Sequence, residues 1–288
     1  MIGTAAWADV PTVVTDIPVV QSLVAQVTGD RGTPAVIVTT GSDPHDFQLR
    51  PSQARALATA DAVFWIGPEM TPWLSAPVEA SAAALRLSLL DVPGTDLRSY
   101  DGGDHAHEGD ADEAHGHPGR DPHAWLDPDN ARVWVLAIAE ALAARDPQNA
   151  ATYRANAARA AQDIAALDAD LGVKAAAVTK GIITGHDAYG YLAAHFGLPI
   201  AASLSGGDAA SPGAARMAEI GALLASGDVA CIFPEAGHDA KAIAVLAEGT
   251  AAKAGEPLDP EGIALQPGAG LYADLMTALI DRIVRCAG

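Results

Sequence analysis

The sequence predicts an α/β protein of two similar lobes, each a parallel-type sheet flanked by helices, joined by a long rigid linker helix, with the ligand site in the cleft between the lobes. Three observations carry this. Short Val- and Ile-rich runs alternate with helical segments, the pattern of βαβ units. The second half also repeats the grammar of the first. "PAVIVTTGSDPHDFQLRPSQARALATADAVFWIGPEM" and "PIAASLSGGDAASPGAARMAEIGALLASGDVACIFPEA" both run strand, polar loop, Pro, helix, Asp, Val-containing strand, Pro-Glu. Between them, "DPQNAATYRANAARAAQDIAALDADLGVKAAA" has no glycine before Gly172 and is rich in Ala, Leu, Arg and Gln, which predicts one helix of about 25 residues.

The elements follow in order. In "MIGTAAWADVP", Ala6-Trp7-Ala8 has the small-x-small form of a signal-peptidase site, with Asp9 as the first mature residue. Residues 1–8 read as the remnant of a trimmed export signal; an ordinary flexible N-terminus is the alternative. The first lobe is assigned to 9–145. It holds a strand around Val13–Thr15, a helix ending near Gly29, a strand at Ala35–Thr40, a helix over Arg50–Asp61 opened by Pro51, and a strand at Ala62–Gly67. A His-rich loop spans 104–120, and a further helix begins near Asp129. The linker helix is assigned to 146–174, with Asp146-Pro147 as N-cap and first helical residue. Such a connection resists wide hinge opening, unlike a Gly/Ser linker; an ordinary lobe helix is the alternative. The second lobe is assigned to 175–288. There "GIITGHDAYGYLAAHFG" gives a strand and a helix, "DVACIF" a buried strand, and "LYADLMTALIDRIVRCAG" a last helix ending at Cys286.

Composition narrows the partners. The chain has 288 residues, half of them apolar and 18% charged, enough for a large core. Its formal net charge of -19 repels phosphates, so nucleic acid and anionic membrane are poor partners, while cations are tolerated. No run of about 18 apolar residues exists, so no membrane insertion is expected. The two cysteines are Cys231, in the buried strand, and Cys286, at the end of the last helix. A disulfide between them would be worth roughly 4 kcal/mol by loop-closure arithmetic and fits an exported protein; two buried free thiols are the alternative.

The histidines carry the chemistry. Five of nine lie between His105 and His123. His105, His107, His115 and His117 sit in a stretch without apolar periodicity. His45 follows the second strand in "GSDPHDFQLRPS", His123 lies in "GRDPHAWLDP", and His186 directly follows a β-run in "IITGHDAYGYL". Ligands of parallel α/β sheets bind outside the carboxyl ends of strands. Three imidazoles meeting there would suit Zn²⁺, which favours nitrogen ligands in tetrahedral geometry. Asp259 in "EPLDPEGIAL" would complete four-coordination, or else cap the turn that contains it. Glu235 in "FPEAGHD" could line the same cleft. His195 reads as a surface or core residue and His238 as a loop residue.

"GSDPHDFQLRPSQARALATADAVFWIGPEM", "DPHAWLDPDNAR", "GHDAYGYLAAHFGLP" and "PLDPEG" together resemble the zinc-specific periplasmic solute-binding proteins of ABC importers, the ZnuA type of the metal-binding cluster A-I family. The resemblance covers nearly the whole chain. It implies two α/β lobes joined by a rigid helix, one tight zinc in the cleft, a periplasmic location and delivery to an ABC permease. It implies His45, His123 and His186 as ligands, with Asp259 matching an aspartate that ligates in some members. Pro44 stands where other members place a carboxylate, and Gln21 where many place a histidine. The resemblance also implies the Cys231–Cys286 disulfide. His105, His107, His115 and His117 match a His/Asp-rich loop of many members, a weak auxiliary collector of zinc; a solvated acidic insertion is the alternative. A metallochaperone is a second expected partner, and the chain is expected to be a monomer.

Other readings are a manganese or iron homologue of the same importer class, and a zinc hydrolase with Glu235 or Asp187 as base. An all-histidine trio favours zinc over the first. Against the second, no HExxH motif is present and four protein ligands would close the site.

Overall fold

The computed structural model describes residues 10–45, 47–100, 119–205, 213–237 and 240–288. The expected export remnant, His105, His107, His115, His117 and His238 lie outside these residues.

Two four-stranded parallel sheets form the frame. The first contains β1 (Val13–Thr15), β2 (Ala35–Val36), β3 (Ala62–Trp65) and β4 (Leu85–Ser88), in spatial order β2-β1-β3-β4. The second contains β5 (Gly181–His186), β6 (Ile200–Ser205), β7 (Val229–Ile232) and β8 (Lys253–Ala254), in order β6-β5-β7-β8. Each sheet therefore runs second, first, third, fourth strand, and the repeat read in the sequence is a repeat of topology. In each, the chain leaves the first strand to one side and returns for the third on the other. That switch point opens a crevice at the carboxyl ends of the strands.

The helices start where their sequences allow. Pro18 opens α1 (Pro18–Thr28), and Gly29, at φ 56°, ends it. Pro51 opens α2 (Pro51–Ala58). The Gln53 side chain accepts the Arg50 N–H at 2.8 Å and donates to the Ile37 carbonyl at 2.6 Å, so this helix start is tied to the chain leaving β2. Pro128 and the Asp127 side chain, which accepts the Asp129 N–H at 2.8 Å, open α4 (Pro128–Arg145). A short α3 (Ser75–Ala80) precedes β4. The second sheet is flanked by α6 (Gly190–Phe196), α7 (Ala214–Ser226), α8 (Ala240–Ala247) and α9 (Leu271–Ala287).

The long helix α5 covers Ala150–Ala175, 26 residues or about 39 Å. It begins later than the expected 146. Asp146 instead closes α4, and its carboxylate accepts hydrogen bonds from Asn149 and Tyr153, at 2.7 and 2.8 Å, across the turn into α5. The second strand is also shorter than expected, although Ile37 and Val38 still donate to the Thr15 and Asp16 carbonyls beyond it.

One apolar core runs through both halves. It joins Val20, Phe64, Trp125 and Trp134 of the first half to Tyr153, Ala157 and Ile164 of α5 and to Ile182, Leu258, Leu275 and Ile283 of the second. Smaller cores form around Val63 and Trp65 in the first sheet and around Ile183 and Ile232 in the second. Cys231 of β7 is disulfide-bonded to Cys286 of α9.

Candidate metal site

Four loops meet where the carboxyl ends of the two sheets face each other. His45 comes from the loop after β2. The Trp73 indole donates to the Pro44 carbonyl at 2.8 Å, and Asp43 accepts the His45 N–H at 2.8 Å, which fixes this loop's path. Gly41 N–H donates to the Ile263 carbonyl at 2.8 Å, so the loop also rests on the second half of the chain.

His123 is fully buried just before α4. One oxygen of Asp121 takes both its backbone N–H, at 2.9 Å, and its Nδ1, at 2.8 Å. Tyr191 of α6 donates to the Asp121 carbonyl at 3.1 Å and accepts the Arg98 N–H at 2.7 Å, so the second half buttresses this segment too.

His186 ends β5. Glu235, after β7, takes its Nδ1 at 2.6 Å and its backbone N–H at 3.2 Å, and accepts the Tyr189 hydroxyl at 3.0 Å. Gly185 makes room for this: a Cβ there would lie 2.7 Å from the Glu235 carboxyl carbon. Burial pushes the Glu235 carboxyl up, but its bonds to the His186 ring and Tyr189 outweigh that, and it titrates below its ordinary value. Burial and the neighbouring Glu235, Glu261 and Asp259 push the Tyr189 phenol well above its own.

With Nδ1 held by a carboxylate, His123 and His186 both turn Nε2 toward a common point. Carboxylate–imidazole pairs of this kind fix tautomer and ring orientation at metal sites. The ring centroids of His45, His123 and His186 lie 5.8, 6.4 and 5.3 Å apart. One ligand atom from each of His45, His123, His186 and Glu261 falls within 4.8 Å of all the others. The structure thus brings together the three expected histidines, drawn from both halves of the chain.

Asp259, the expected fourth member, is not among the residues of this group. The Asp259 oxygens accept the Ile263 and Ala264 N–H groups, both at 2.9 Å, so Asp259 shapes the turn. Burial raises its carboxyl, and those N–H groups pull back against the rise. Glu261, two residues on, faces the rings instead, 3.7 Å from His186 Nε2 and 4.0 Å from His123 Nε2. Burial pushes the Glu261 carboxyl up to about 7, against the pull of the His186 and His123 rings. The Trp125 indole, two residues after His123, donates to the Pro260 carbonyl at 2.8 Å and seats this turn over the site. Sequence reasoning missed Glu261 and Asp121. Asp121 had a signal, a carboxylate two residues before a candidate ligand. Glu261 had only its place as a charge in an apolar turn.

Other singled-out residues lie elsewhere. Gln21 bridges α1 to the approach to α9, donating to the Pro34 carbonyl at 3.4 Å and accepting the Gly268 N–H at 3.0 Å. His195, expected at the surface or in the core, sits between two carboxylates, Asp127 and Asp168.

Known proteins match this chain along its length. The family model "Zinc-uptake complex component A periplasmic" (ZnuA) matches residues 13–286. The "High-affinity zinc uptake system protein ZnuA" of Paracoccus denitrificans is 48% identical, over 100% of this chain and 96% of that protein. Its namesake from Brucella abortus is 32% identical, over 99% and 94%. Two solved structures share the fold at TM-score 0.80 and 21% identity. They are a manganese-bound periplasmic metal-binding protein from Candidatus Liberibacter asiaticus, covering 96% of this chain and 100% of that one, and the periplasmic zinc-binding protein TroA from Treponema pallidum, covering 96% and 99%. From sheet topology to the histidine cluster between the sheets, the chain belongs to the ZnuA family of periplasmic zinc-uptake components.

Proposed function

We propose that this protein captures Zn²⁺ in the periplasm and hands it to the membrane permease of an ABC importer. The observation that carries this reading is the convergence of His45, His123 and His186 from both halves of the chain, two of them braced by carboxylates. The relatives' names supply the zinc-uptake setting. Among solved neighbours of the fold, one is described with manganese and one with zinc, so the fold alone does not choose the metal. The donors do: three imidazoles and one carboxylate suit a borderline-soft tetrahedral ion better than manganese, which favours oxygen.

In this reading the lobes are 9–145 and 175–288, spanned by α5, and zinc bridges them. Glu261 supplies the fourth donor and Asp259 holds its turn. A carboxyl raised by burial releases its proton to solvent as the cation arrives, and the resulting carboxylate offsets part of the cation's charge. Glu235 is committed to His186 and Tyr189, and so serves as a brace rather than as the base of a hydrolase. His105, His107, His115 and His117 provide weaker, auxiliary zinc sites, and a metallochaperone delivers zinc to them. The chain acts as a monomer.

Native mass spectrometry with metal analysis, on protein purified without added metal, tests the reading. One tightly held zinc per chain is expected, lost on His45→Ala, His123→Ala or His186→Ala. Zinc that survives all three single changes would refute it.

A further inference from the structure

Among the described residues, His195 is the histidine outside the zinc cluster. It lies on α6, the helix that follows His186. Its Nδ1 is 2.9 Å from an Asp127 oxygen and its Nε2 is 2.7 Å from an Asp168 oxygen. Asp127 caps α4 and stands four residues after His123, while Asp168 belongs to α5. One ring therefore joins the segment that carries His123, the long helix, and the helix behind His186.

A neutral imidazole has one N–H and can donate to only one carboxylate. A ring with a carboxylate at each nitrogen satisfies both only as the imidazolium. The surroundings agree. Asp127, Asp129 and Asp168 face the ring from α4 and α5. From α9, the Tyr272 phenol feels the same three carboxylates and, with burial as the larger cause, is pushed well above its ordinary value. Arg132 is held 2.7 Å from Asp129 at the rim, and the Phe196 ring stands edge-on to His195, with centroids 4.7 Å apart. The Asp127 hydrogen bond, opposed by burial and helped by Asp168, raises the His195 ring to about 9.

Asp127, Asp129 and His195 also have the spacing of a metal cluster. Their charge is already answered, because Asp129 is exposed beside Arg132 and both nitrogens of His195 are engaged by carboxylates.

We propose that protonated His195 is a positioning residue for zinc capture, a latch that ties the His123 segment to α5 and α6 and so holds the His123 and His186 rings at ligating distance. This rests on the zinc-binding reading of the cluster. The sign of its pH dependence follows from the raised ring. The latch is complete below the ordinary histidine value near 6.5 and is lost as the pH climbs through about 9.

The test compares the wild-type chain with His195→Gln and His195→Arg. In metal-free protein, NMR follows the His195 ring protons against pH, and hydrogen exchange follows segment 123–127. Zinc release into excess chelator is timed at pH 7 and 9.5. The ring should titrate well above 6.5. At pH 7, His195→Gln should release zinc several-fold faster than wild type and exchange faster over 123–127. Raising the pH to 9.5 should speed the wild type by a similar factor, while His195→Arg, a permanent cation, responds less. A ring titrating at or below 6.5 would overturn the latch. So would a His195→Gln protein that melts earlier yet releases zinc at the wild-type rate at both pH values, or a second zinc that this change removes. If the wild type binds no zinc, the proposed function fails, and the ring titration and the exchange of 123–127 still decide the latch.

Discussion

In the turn Leu258–Gly262 two carboxylates stand two residues apart, and the backbone decides which meets the rings. Asp259 accepts two N–H groups from the chain that follows it, the ordinary use of an aspartate in a turn. Glu261 has no such local acceptor role in the described geometry and reaches inward on a longer side chain. Two substitutions separate their roles. Glu261→Gln should weaken zinc binding at neutral pH by removing an anionic donor. Asp259→Asn should mainly lower stability, by about 1 kcal/mol or somewhat more as the charge-assisted turn bonds weaken. Competition titration and thermal unfolding on both variants make the check, and a larger affinity loss from Asp259→Asn would return the ligand role to Asp259. The three histidines were legible in the sequence because each stands in an Asp/Gly/Pro-bearing loop or at a strand end. The carboxylate was not, because a turn's hydrogen bonds are set by backbone angles that spacing does not reveal. His195 read as a surface or core residue because its partners lie 68 and 27 positions away in sequence, a fact of helix packing alone.

At the scale of elements, the disulfide joins the third strand of the second sheet to the last helix. Its closed loop spans 55 residues, worth about 4 kcal/mol by chain entropy. Replacing both cysteines with serine should lower the unfolding free energy by roughly that amount, read from the denaturation midpoint. Neither cysteine belongs to the zinc cluster, so affinity should change little by comparison. An equal loss of affinity would mean that the α9–β7 junction governs the site. The helices themselves were legible where proline or glycine punctuated them, as at Gly29 and Pro51, and the start of α4 was placed one residue late, near Asp129. The start of α5 was not legible. Asp146-Pro147 has the look of a cap, yet Asp146 closes the helix before it and binds Tyr153, a residue one turn inside the next. Two helices were competing for one aspartate, and tertiary packing of α4 against α5 settled it.

At the scale of the molecule, a continuous core and bonds such as Trp125 to Pro260 and Ser22 to Ala269 make the halves one body around the site. The repeat legible in the sequence explains why two switch points exist. It does not explain why they face each other, which follows from α5 packing against helices of both halves. Protons compete with a metal ion for every donor of such a site. Imidazoles take protons as the pH falls through the range near 6.5. Glu261, raised to about 7 by burial, takes one earlier, so acid weakens the site from neutrality downward. Below these values each donor contributes about a tenfold loss of affinity per pH unit, and with four donors the fall steepens as the pH drops. Competition titrations from pH 8 to 5.5 should show a shallow onset near pH 7 that Glu261→Gln removes, followed by a steep histidine-driven decline that it retains. A flat affinity across that range would be incompatible with three imidazole ligands, and an unchanged onset in the variant would remove Glu261 from the set.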